Sequence, residues 1–277
     1  ALDLIFIAWL RFGVWSAAVA TVISQTASMI LCFIHLLRRG KIYTVSIKKI
    51  RFHKDMFKEI IRYGLPSGVQ NSVIGLANVI VQSQINSFGE LATSGYGAYA
   101  KVEGFAFLPI TGFSMASTTF IGQNLGAKEY GRAKKGALFS IISAVIAAEI
   151  IGLVFYFTAP YLIGIFNKNP DVIAYGVRQA RTVSLFFCLL AFSHSVAAVC
   201  RGAGKTFVPM IIMLSVWCVI RIAYILTVMH FTGEIGYIYW AYPITWGISS
   251  IIYLFYYLFS DWAHGFEKKV KENGGSE

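Results

Sequence analysis

Long apolar runs alternate with short polar segments along almost the whole chain. Seven runs are long enough to cross a membrane core, which takes about 20 helical residues; they cover residues 12–37, 59–86, 92–124, 136–160, 173–200, 207–231 and 237–260. A shorter apolar stretch at 1–11 precedes them, with no basic leader or small-residue cleavage site, and we interpret it as the end of a truncated helix. The pattern predicts an all-α polytopic membrane protein with about seven transmembrane helices.

The composition supports this class. Of the 277 residues, 57% are hydrophobic and 13% are charged, whereas about a quarter of the residues in a soluble domain are charged. The four cysteines lie inside apolar stretches without the spacing of metal ligands. We therefore expect neither a disulfide framework nor a metal site.

The formal charge of +11 is distributed along the chain as membrane topology requires. Nucleic-acid binding would need basic residues gathered on one folded face, so no nucleic-acid partner is expected. Of the 24 lysine and arginine residues, 18 lie in the segments 38–62, 125–136, 201–206 and 261–277. The positive-inside rule places these segments in the cytoplasm. The opposite connections hold only Arg11, Lys168, Arg178 and Arg181. We expect a multi-pass protein of the cell inner (plasma) membrane with a cytoplasmic C-terminus.

These boundaries divide the chain into predicted parts. Residues 12–37 form one transmembrane helix, and residues 38–58 form a basic amphipathic connector in the cytoplasm. In the connector Ile47, Ile50 and Phe52 face the lipid interface while the basic residues face head groups, which makes membrane lipids expected partners. Residues 59–260 form a six-helix lobe, and residues 261–277 form a cytoplasmic tail.

Two short segments imitate nucleotide-binding motifs. Gly202–Thr206 resembles the end of a phosphate-binding loop, but Val199 stands where that motif needs glycine and no strand precedes it. The segment 95–100 (G-Y-G-A-Y-A) lies within an apolar run and is better interpreted as small residues for helix packing. No nucleophile, metal-ligand or paired-acid arrangement stands out, so we expect neither an enzyme nor a bound cofactor.

Polar residues at membrane depth are the candidates for function. In the run 59–86, Asn71, Gly75, Asn78 and Gln82 share one helix face, and Gln70 borders it. Amides cannot face hydrocarbon cheaply, because each unpaired amide costs kilocalories. The stripe therefore either bonds to neighbouring helices or lines a cavity, and four positions in register favour the cavity.

In the run 92–124, Glu103 lies roughly 17 Å from the predicted outer end, near mid-membrane. Tyr96, Tyr99, Thr111 and Ser114 share its face. An ionisable group at this depth is a functional hypothesis by default; the alternative is a neutral glutamate held by an amide or a tyrosine hydroxyl. Lys101 lies on another face, where snorkelling or packing is expected. Pro109 and Gly112 are expected to interrupt the helix.

Three further ionisable residues are possible members of the site. Glu149 is the lone charge in its run and Arg221 lies near the middle of another; they either pair with each other or Arg221 snorkels outward. His194, between two serines, either titrates near neutral pH or is a satisfied core histidine.

The segment 120–136 (F-I-G-Q-N-L-G-A-K-E-Y-G-R-A-K-K-G) joins an apolar helix to a basic turn. Gly122 and Gly126 share a face on which another backbone can approach closely. With Gln123 and Asn124, they match the G-Q-N-x-G-A-x-x-x-x-R-A signature of the multidrug and toxic compound extrusion (MATE) family, which the chain resembles. Three other segments agree with the family in order and spacing: Gly64-Leu65-Pro66, Arg201–Thr206 with Pro209, and Trp217 to Arg221.

The resemblance implies a fold and a partner. Members have twelve helices in two six-helix lobes, joined by a cytoplasmic connector. By this resemblance the chain holds the end of the fifth helix, the sixth helix, the connector and the second lobe, and it lacks the N-terminal lobe that would be its partner. Some members carry acids where this chain has Gln70, Asn71, Ser193 and His194. That cation site does not transfer, and Glu103 replaces it on physical grounds.

The resemblance also implies an activity, which is the exchange of H⁺ or Na⁺ for organic, usually cationic, compounds. We therefore expect a secondary antiporter that exports small organic cations by rocking of two lobes. The alternative is a flippase of related architecture for lipid-linked precursors or polysaccharides, whose cavity would be lined with several arginines. Only Arg221 is central here.

Overall fold

A computed structural model describes residue 6 and residues 15–37 and 51–263 of the chain. The predicted stub at 1–11 (apart from residue 6), residues 38–50 of the predicted connector and the tail beyond 263 lie outside the described residues. The described parts are helical, with these elements in chain order: α1 Trp15–Leu37, α2 Lys54–Asn86, α3 Glu90–Gly126, α4 Tyr130–Phe166, α5 Pro170–Ser184, α6 Phe187–Gly202, α7 Phe207–Met213, a π-helical segment Leu214–Ile220, α8 Arg221–Thr232 and α9 Ile235–Phe259.

The chain divides into two compact units, Ala1–Phe57 and Lys58–Glu277. The described part of the first unit is mainly α1, an apolar helix with most of its side chains exposed. The second unit holds most of α2 and all of α3 to α9, and the functional candidates lie in it.

A helix occupies each of the seven predicted runs. Among the described residues, four spans are long and apolar enough to cross a membrane: Ala18–Leu37, Glu90–Gly126, Tyr130–Phe166 and Phe207–Thr232. The pair α5 and α6, bent by 56°, makes a fifth when it is counted as one span. The two remaining runs are α2, which carries the polar stripe, and α9, which is rich in tyrosine and tryptophan. The amides and charges of α2, and the low hydropathy index of the tyrosines and tryptophans of α9, keep both helices below the mean hydropathy of the other spans, so their crossing of the membrane stays a prediction.

Small residues occupy many of the buried positions of the second unit, and large apolar residues cover much of its outside. Along α4, for example, the buried positions are mostly alanine and glycine, while Phe139, Phe157 and Ile165 are 69–72% exposed. This distribution is typical of helices packed in lipid, because lipid solvates large apolar side chains and small residues allow the backbones to approach closely.

Glycines mark the closest approaches between helices. A Cβ atom on Gly176 of α5 would lie 3.0 Å from the Gly95 carbonyl oxygen of α3, and a Cβ on Gly202 of α6 would lie 2.7 Å from the Thr118 carbonyl oxygen of α3. Gly122 faces the Gly202 carbonyl oxygen, 3.5 Å from an added Cβ. The packing expected at Gly95 and Gly122 is therefore found. At Gly126 the expected packing is not found, because no atom of the described residues lies within 4 Å of an added Cβ.

Helices α3 and α6 end in the same kind of turn. The Glu129 N–H donates to the Asn124 carbonyl (2.8 Å), and the Lys205 N–H donates to the Cys200 carbonyl (2.8 Å). Each bond closes over one residue in the left-handed region, Lys128 (φ 62°) or Gly204 (φ 73°). This is the Schellman arrangement, which satisfies the last carbonyls of a helix. The segment 202–206 is thus a helix terminus and the start of the next helix, as the sequence indicates.

The signature residues between these glycines have local roles. The Asn124 side-chain amide donates to the Phe120 carbonyl one turn earlier (2.7 Å), and Asn124 is buried. Gln123 is exposed. The hydrogen bond of Asn124 therefore belongs to the end of α3 and does not involve the polar residues deeper in the unit.

Two irregularities interrupt the spans, and neither is the one expected from the sequence. Helix α3 continues through Pro109 and Gly112, so the predicted interruption there is wrong. The bend lies between α5 and α6, and the π-helical segment lies between α7 and α8. The Arg221 N–H donates to the Val216 carbonyl five residues back, as in a π-helix.

Basic residues that depart from the positive-inside pattern have partners in the structure. Arg178 forms an ion pair with Glu234, so it adds no net charge at that end of the unit. Arg181 lies over the Tyr156 ring at 5.7 Å, and the Lys101 Nζ lies 5.4 Å from the Phe166 ring centroid. The last contact agrees with the expected packing role of Lys101.

Candidate transport site

The carboxylate of Glu103 is held by its own helix. The Tyr99 hydroxyl, one turn earlier on α3, donates to Glu103 Oε1 at 2.8 Å. Tyr99 is 1% exposed, so its hydroxyl is fixed in place, whereas Glu103 itself is only partly buried. Residues four apart share a face of an α-helix, which explains why the sequence pattern already brings these two together.

A second tyrosine extends the site to α9. The Tyr96 hydroxyl lies 3.1 Å from the Tyr242 hydroxyl. The Arg221 guanidinium stacks over the Tyr242 ring, with Cζ 4.7 Å from its centroid. Arg221 is 2% exposed, so a cation lies against an aromatic face away from water, where the attraction is strongest.

Arg221 is anchored by one hydroxyl. Its Nε and Nη2 donate to Thr245 Oγ1 at 3.2 and 2.9 Å, and Thr245 in turn donates to the Ala241 carbonyl at 2.7 Å. One turn before Arg221, the Trp217 Nε1 donates to Ser249 Oγ at 3.0 Å. Two side chains one turn apart therefore bond to two hydroxyls one turn apart on α9.

Arg221 and Glu103 are connected through two tyrosines, because Arg221 lies over the ring of Tyr242, which bonds to Tyr96 on the Glu103 face of α3. Within the part of the chain that the structure describes, no direct ion pair joins the two charged groups. We call Tyr96, Tyr99, Glu103, Arg221, Tyr242 and Thr245 the charge cluster.

The predicted alternatives for Glu149 and Arg221 are both wrong. Arg221 neither pairs with Glu149 nor snorkels outward, since it is buried and bonded to Thr245. Glu149 instead accepts the Cys188 backbone N–H at 3.1 Å, in the first turn of α6. A carboxylate at a helix N-terminus satisfies an otherwise unpaired donor. The role of Glu149 is thus to cap α6 at the bend.

His194 is partly buried between the aromatic rings of Phe107 and Trp217. Its ring centroid lies 6.0 Å from Phe107 and 5.5 Å from Trp217. Its Nε2 is buried and has no hydrogen-bond partner among the residues that the structure describes. It is therefore a core histidine but not a satisfied one. The neighbouring Ser193 bonds to Ser249 and Ser250, each at 3.0 Å.

The polar stripe of α2 lies beside the packed face of that helix. Asn71 and Asn78 are exposed, and the partly buried Gln82 donates to Asn86 at 2.8 Å. Gln70 is 5% exposed, and its side-chain amide contacts the Met213 sulfur of α7. No described hydrogen bond joins Asn71 or Asn78 to another helix, so these two amides line an open surface. Thr111 and Ser114 share the Glu103 face in the sequence, but no hydrogen bond among the described residues joins them to the charge cluster; the Thr111 hydroxyl donates back to the Phe107 carbonyl at 2.9 Å.

Sequence reasoning missed Tyr242 and Thr245, although both belong to the charge cluster. A signal was present: Thr245 and Ser249 are polar residues four apart in the apolar helix α9. Their partners on the preceding span are also four apart, which is the pattern of two facing helices. The sequence alone does not identify which polar pair faces which.

Comparison with known proteins decides the family. A family model described as MatE matches residues 66–227, more than half of the chain. The chain belongs to the MATE family. Proteins of this family are transporters rather than enzymes, and the chain is accordingly an integral membrane protein.

Named relatives of this MATE chain are bacterial. It is 29% identical over 233 residues to the probable multidrug resistance protein NorM of Thermotoga maritima, which covers 82% of this chain and 49% of the relative. It is 25% identical over 256 residues to the probable multidrug resistance protein YoeA of Bacillus subtilis, covering 90% of this chain and 55% of the relative. The chain spans about half the length of these curated relatives.

Solved structures agree on the fold. A MOP superfamily transporter from Pyrococcus furiosus superposes with a TM-score of 0.84 at 21% identity, over 92% of this chain and 58% of that one. An outward-facing multidrug resistance MATE transporter gives the same TM-score and identity, over 96% of this chain and 60% of its own. The resemblance drawn from the G-Q-N-x-G-A signature is thereby confirmed.

Proposed function

We propose that this chain is part of a secondary antiporter that exports small organic cations in exchange for H⁺ or Na⁺, with Glu103 as the carboxylate that couples the two. The observation that carries the proposal is the Tyr99–Glu103 hydrogen bond of 2.8 Å on a partly exposed carboxylate in a membrane span. Burying an ionisable group at membrane depth costs free energy, and such groups typically mark substrate or ion pathways.

One carboxylate is sufficient for exchange. A proton, a sodium ion and an organic cation each neutralise the same negative charge, so they compete for Glu103 and only one occupies it at a time. Binding of the ion on one side of the membrane then releases the exported cation there, and alternating access carries the carboxylate between the two sides.

Aromatic and amide side chains would supply the rest of the binding surface. Tyr96 lies on the Glu103 face of α3 and bonds to Tyr242 of α9, and both tyrosines can offer ring faces to an organic cation. The exposed amides of Asn71 and Asn78 on α2 can bind polar groups of a substrate. An opposing lobe would complete the cavity, and the plasma membrane with a cytoplasmic C-terminus is the location that the charge pattern favours.

The test is efflux of a fluorescent organic cation such as ethidium from cells that produce the longest reading frame containing this chain. Glu103→Gln keeps the size of the side chain and removes its charge, so export should fall to the level of cells without the transporter. Glu90→Gln, at the exposed start of the same helix, is the matched control and should export normally. Membrane insertion of each variant is checked by fractionation.

Tyr99→Phe provides a graded variant. It removes only the donor to Glu103, and a hydrogen bond to a charged group contributes about 1.5–3 kcal/mol. Export should fall less than in Glu103→Gln, and its dependence on external pH should change. Normal efflux by Glu103→Gln between pH 6 and 8 would refute the assignment of the coupling site to this residue.

A further inference from the structure

A hollow of about 420 Å³ lies between the start of α4 and the end of α9. Two exposed lysines, Lys134 and Lys135, lie on its α4 side. Tyr257 and Trp262 line the other side and stack on each other, with ring centroids 5.8 Å apart. This hollow is separate from the charge cluster.

Positive charge dominates the hollow. Among the described residues that line it, Lys134 and Lys135 are accompanied by one carboxylate, that of Asp261, and Lys205 adds a further cation nearby by donating to the Asp261 carbonyl at 3.1 Å. The Ser260 hydroxyl also lines the hollow. A ligand that carries an anionic, hydrogen-bonding group fits these side chains.

The same hollow is apolar along one edge. Leu138, one turn beyond Lys134, is 52% exposed, and Leu258 of α9 is 64% exposed. Cations, an aromatic pair and exposed leucines thus line the same hollow. Aromatic residues of this kind are typical of the membrane–water interface. A free anion would make no favourable contact with the leucines there, whereas the acyl chains of an amphiphile would.

We propose that this hollow binds an anionic phospholipid, with its phosphate between Lys134 and Lys135 and its acyl chains on Leu138 and Leu258. Basic pockets between transmembrane helices bind anionic head groups in this way. The proposal is independent of the transport site, because no residue of the charge cluster lines the hollow.

Trp262 provides the probe. The purified 277-residue chain is placed in bilayers that mix phosphatidylglycerol with phosphatidylcholine, one of the two being brominated on chain carbons near the head group. Bromine quenches tryptophan at short range, and the part of the quenching lost in Trp262→Phe belongs to Trp262. The two lipid series give the preference of that position for phosphatidylglycerol over phosphatidylcholine.

We expect a preference of more than tenfold at Trp262. Each lysine near a membrane surface contributes about fivefold to the attraction of an anionic lipid, so Lys134→Gln/Lys135→Gln should reduce the preference nearly to one. The matched control is Lys54→Gln/Lys58→Gln, which removes two exposed lysines of α2 that do not line the hollow. It should leave the preference within twofold of wild type.

Three results would overturn the proposal. They are no preference at Trp262 in the wild-type chain, an equal loss in both double variants, and an unchanged preference at Trp262 in Lys134→Gln/Lys135→Gln. Circular dichroism establishes that each variant is folded, and the single variants Lys134→Gln and Lys135→Gln replace the double variant if it does not insert.

Discussion

A Cβ atom on Gly152 of α4 would overlap the carbonyl oxygen of Ser184, the last residue of α5. Phe187 at the start of α6 touches the same spot, with its ring 3.4 Å from the added atom. The backbone of α4 therefore lies directly against the bend between α5 and α6. Glu149, one turn earlier, caps α6 at this bend, so two residues of α4 define its position.

Gly152→Ala should destabilise the fold. The atom that the new methyl group meets belongs to the backbone and cannot rotate away, and overpacking of this kind costs about 1–3 kcal/mol. The measurement is the thermal unfolding of the purified chain in detergent, where the midpoint should fall by several degrees. Gly164→Ala in the same helix is the control, because the nearest atom to its methyl group is Ile173 Cδ1 at 3.8 Å. It should be neutral or slightly stabilising, since alanine favours helix. Equal midpoints for both variants would contradict the packing described for α4.

Substitutions of Arg221 and Thr245 should have strongly coupled effects on stability. Thr245→Val removes the acceptor and leaves buried guanidinium N–H groups unpaired, which costs about 1–3 kcal/mol, more for a charged group. Arg221→Lys loses the planar fork that both bonds Thr245 and stacks on Tyr242. A double-mutant cycle on stability measures the coupling. Arg178→Lys, in the exposed ion pair with Glu234, should change stability by no more than about 1 kcal/mol. Additive effects of the Arg221 and Thr245 variants would show that the two side chains act independently.

Lys128 occupies a left-handed position that glycine fills in the equivalent turn after α6. Its φ is 62°, where a side chain costs about 1–2 kcal/mol relative to glycine. Lys128→Gly should therefore raise the unfolding midpoint, and Lys128→Ala, which removes the charge but keeps the Cβ atom, should not. Gly204→Ala should lower it. The prediction fails if Lys128→Gly and Lys128→Ala behave alike.

Cysteines at Glu90, the first residue of α3, and at Lys134, near the start of α4, test the predicted membrane topology. In a background with the four native cysteines replaced by alanine, Glu90→Cys should react with a membrane-impermeant thiol reagent added to intact cells. Lys134→Cys should react only after the membrane is permeabilised, because its basic segment is predicted to be cytoplasmic. Both positions are exposed, so a lack of reaction is not due to burial in the protein. The reverse pattern would invert the predicted orientation.

The helices could be predicted from the sequence because their signal is local. Apolar runs bounded by polar segments identify all seven, and the i, i+4 spacing of Tyr99 and Glu103 is enough to predict their contact. The Glu149–Arg221 pairing is wrong because it was inferred from charge alone. The partner of Arg221 depends on which residues of α9 lie opposite, and that of Glu149 on where α6 begins after the bend. Neither leaves a periodic pattern in the sequence.

The π-helical segment determines where this chain tolerates a change in length. A π-helical turn holds one residue more than an α-helical turn, inserted without disturbing the helix on either side. A deletion elsewhere between Phe207 and Thr232 rotates every following side chain by about 100°, which separates Arg221 from Thr245 or Met213 from Gln70. A deletion of the exposed Val219 instead converts the segment to α-helix and keeps both ends in phase. When this chain is aligned with a relative that is one residue shorter here, the gap therefore belongs between Met213 and Arg221.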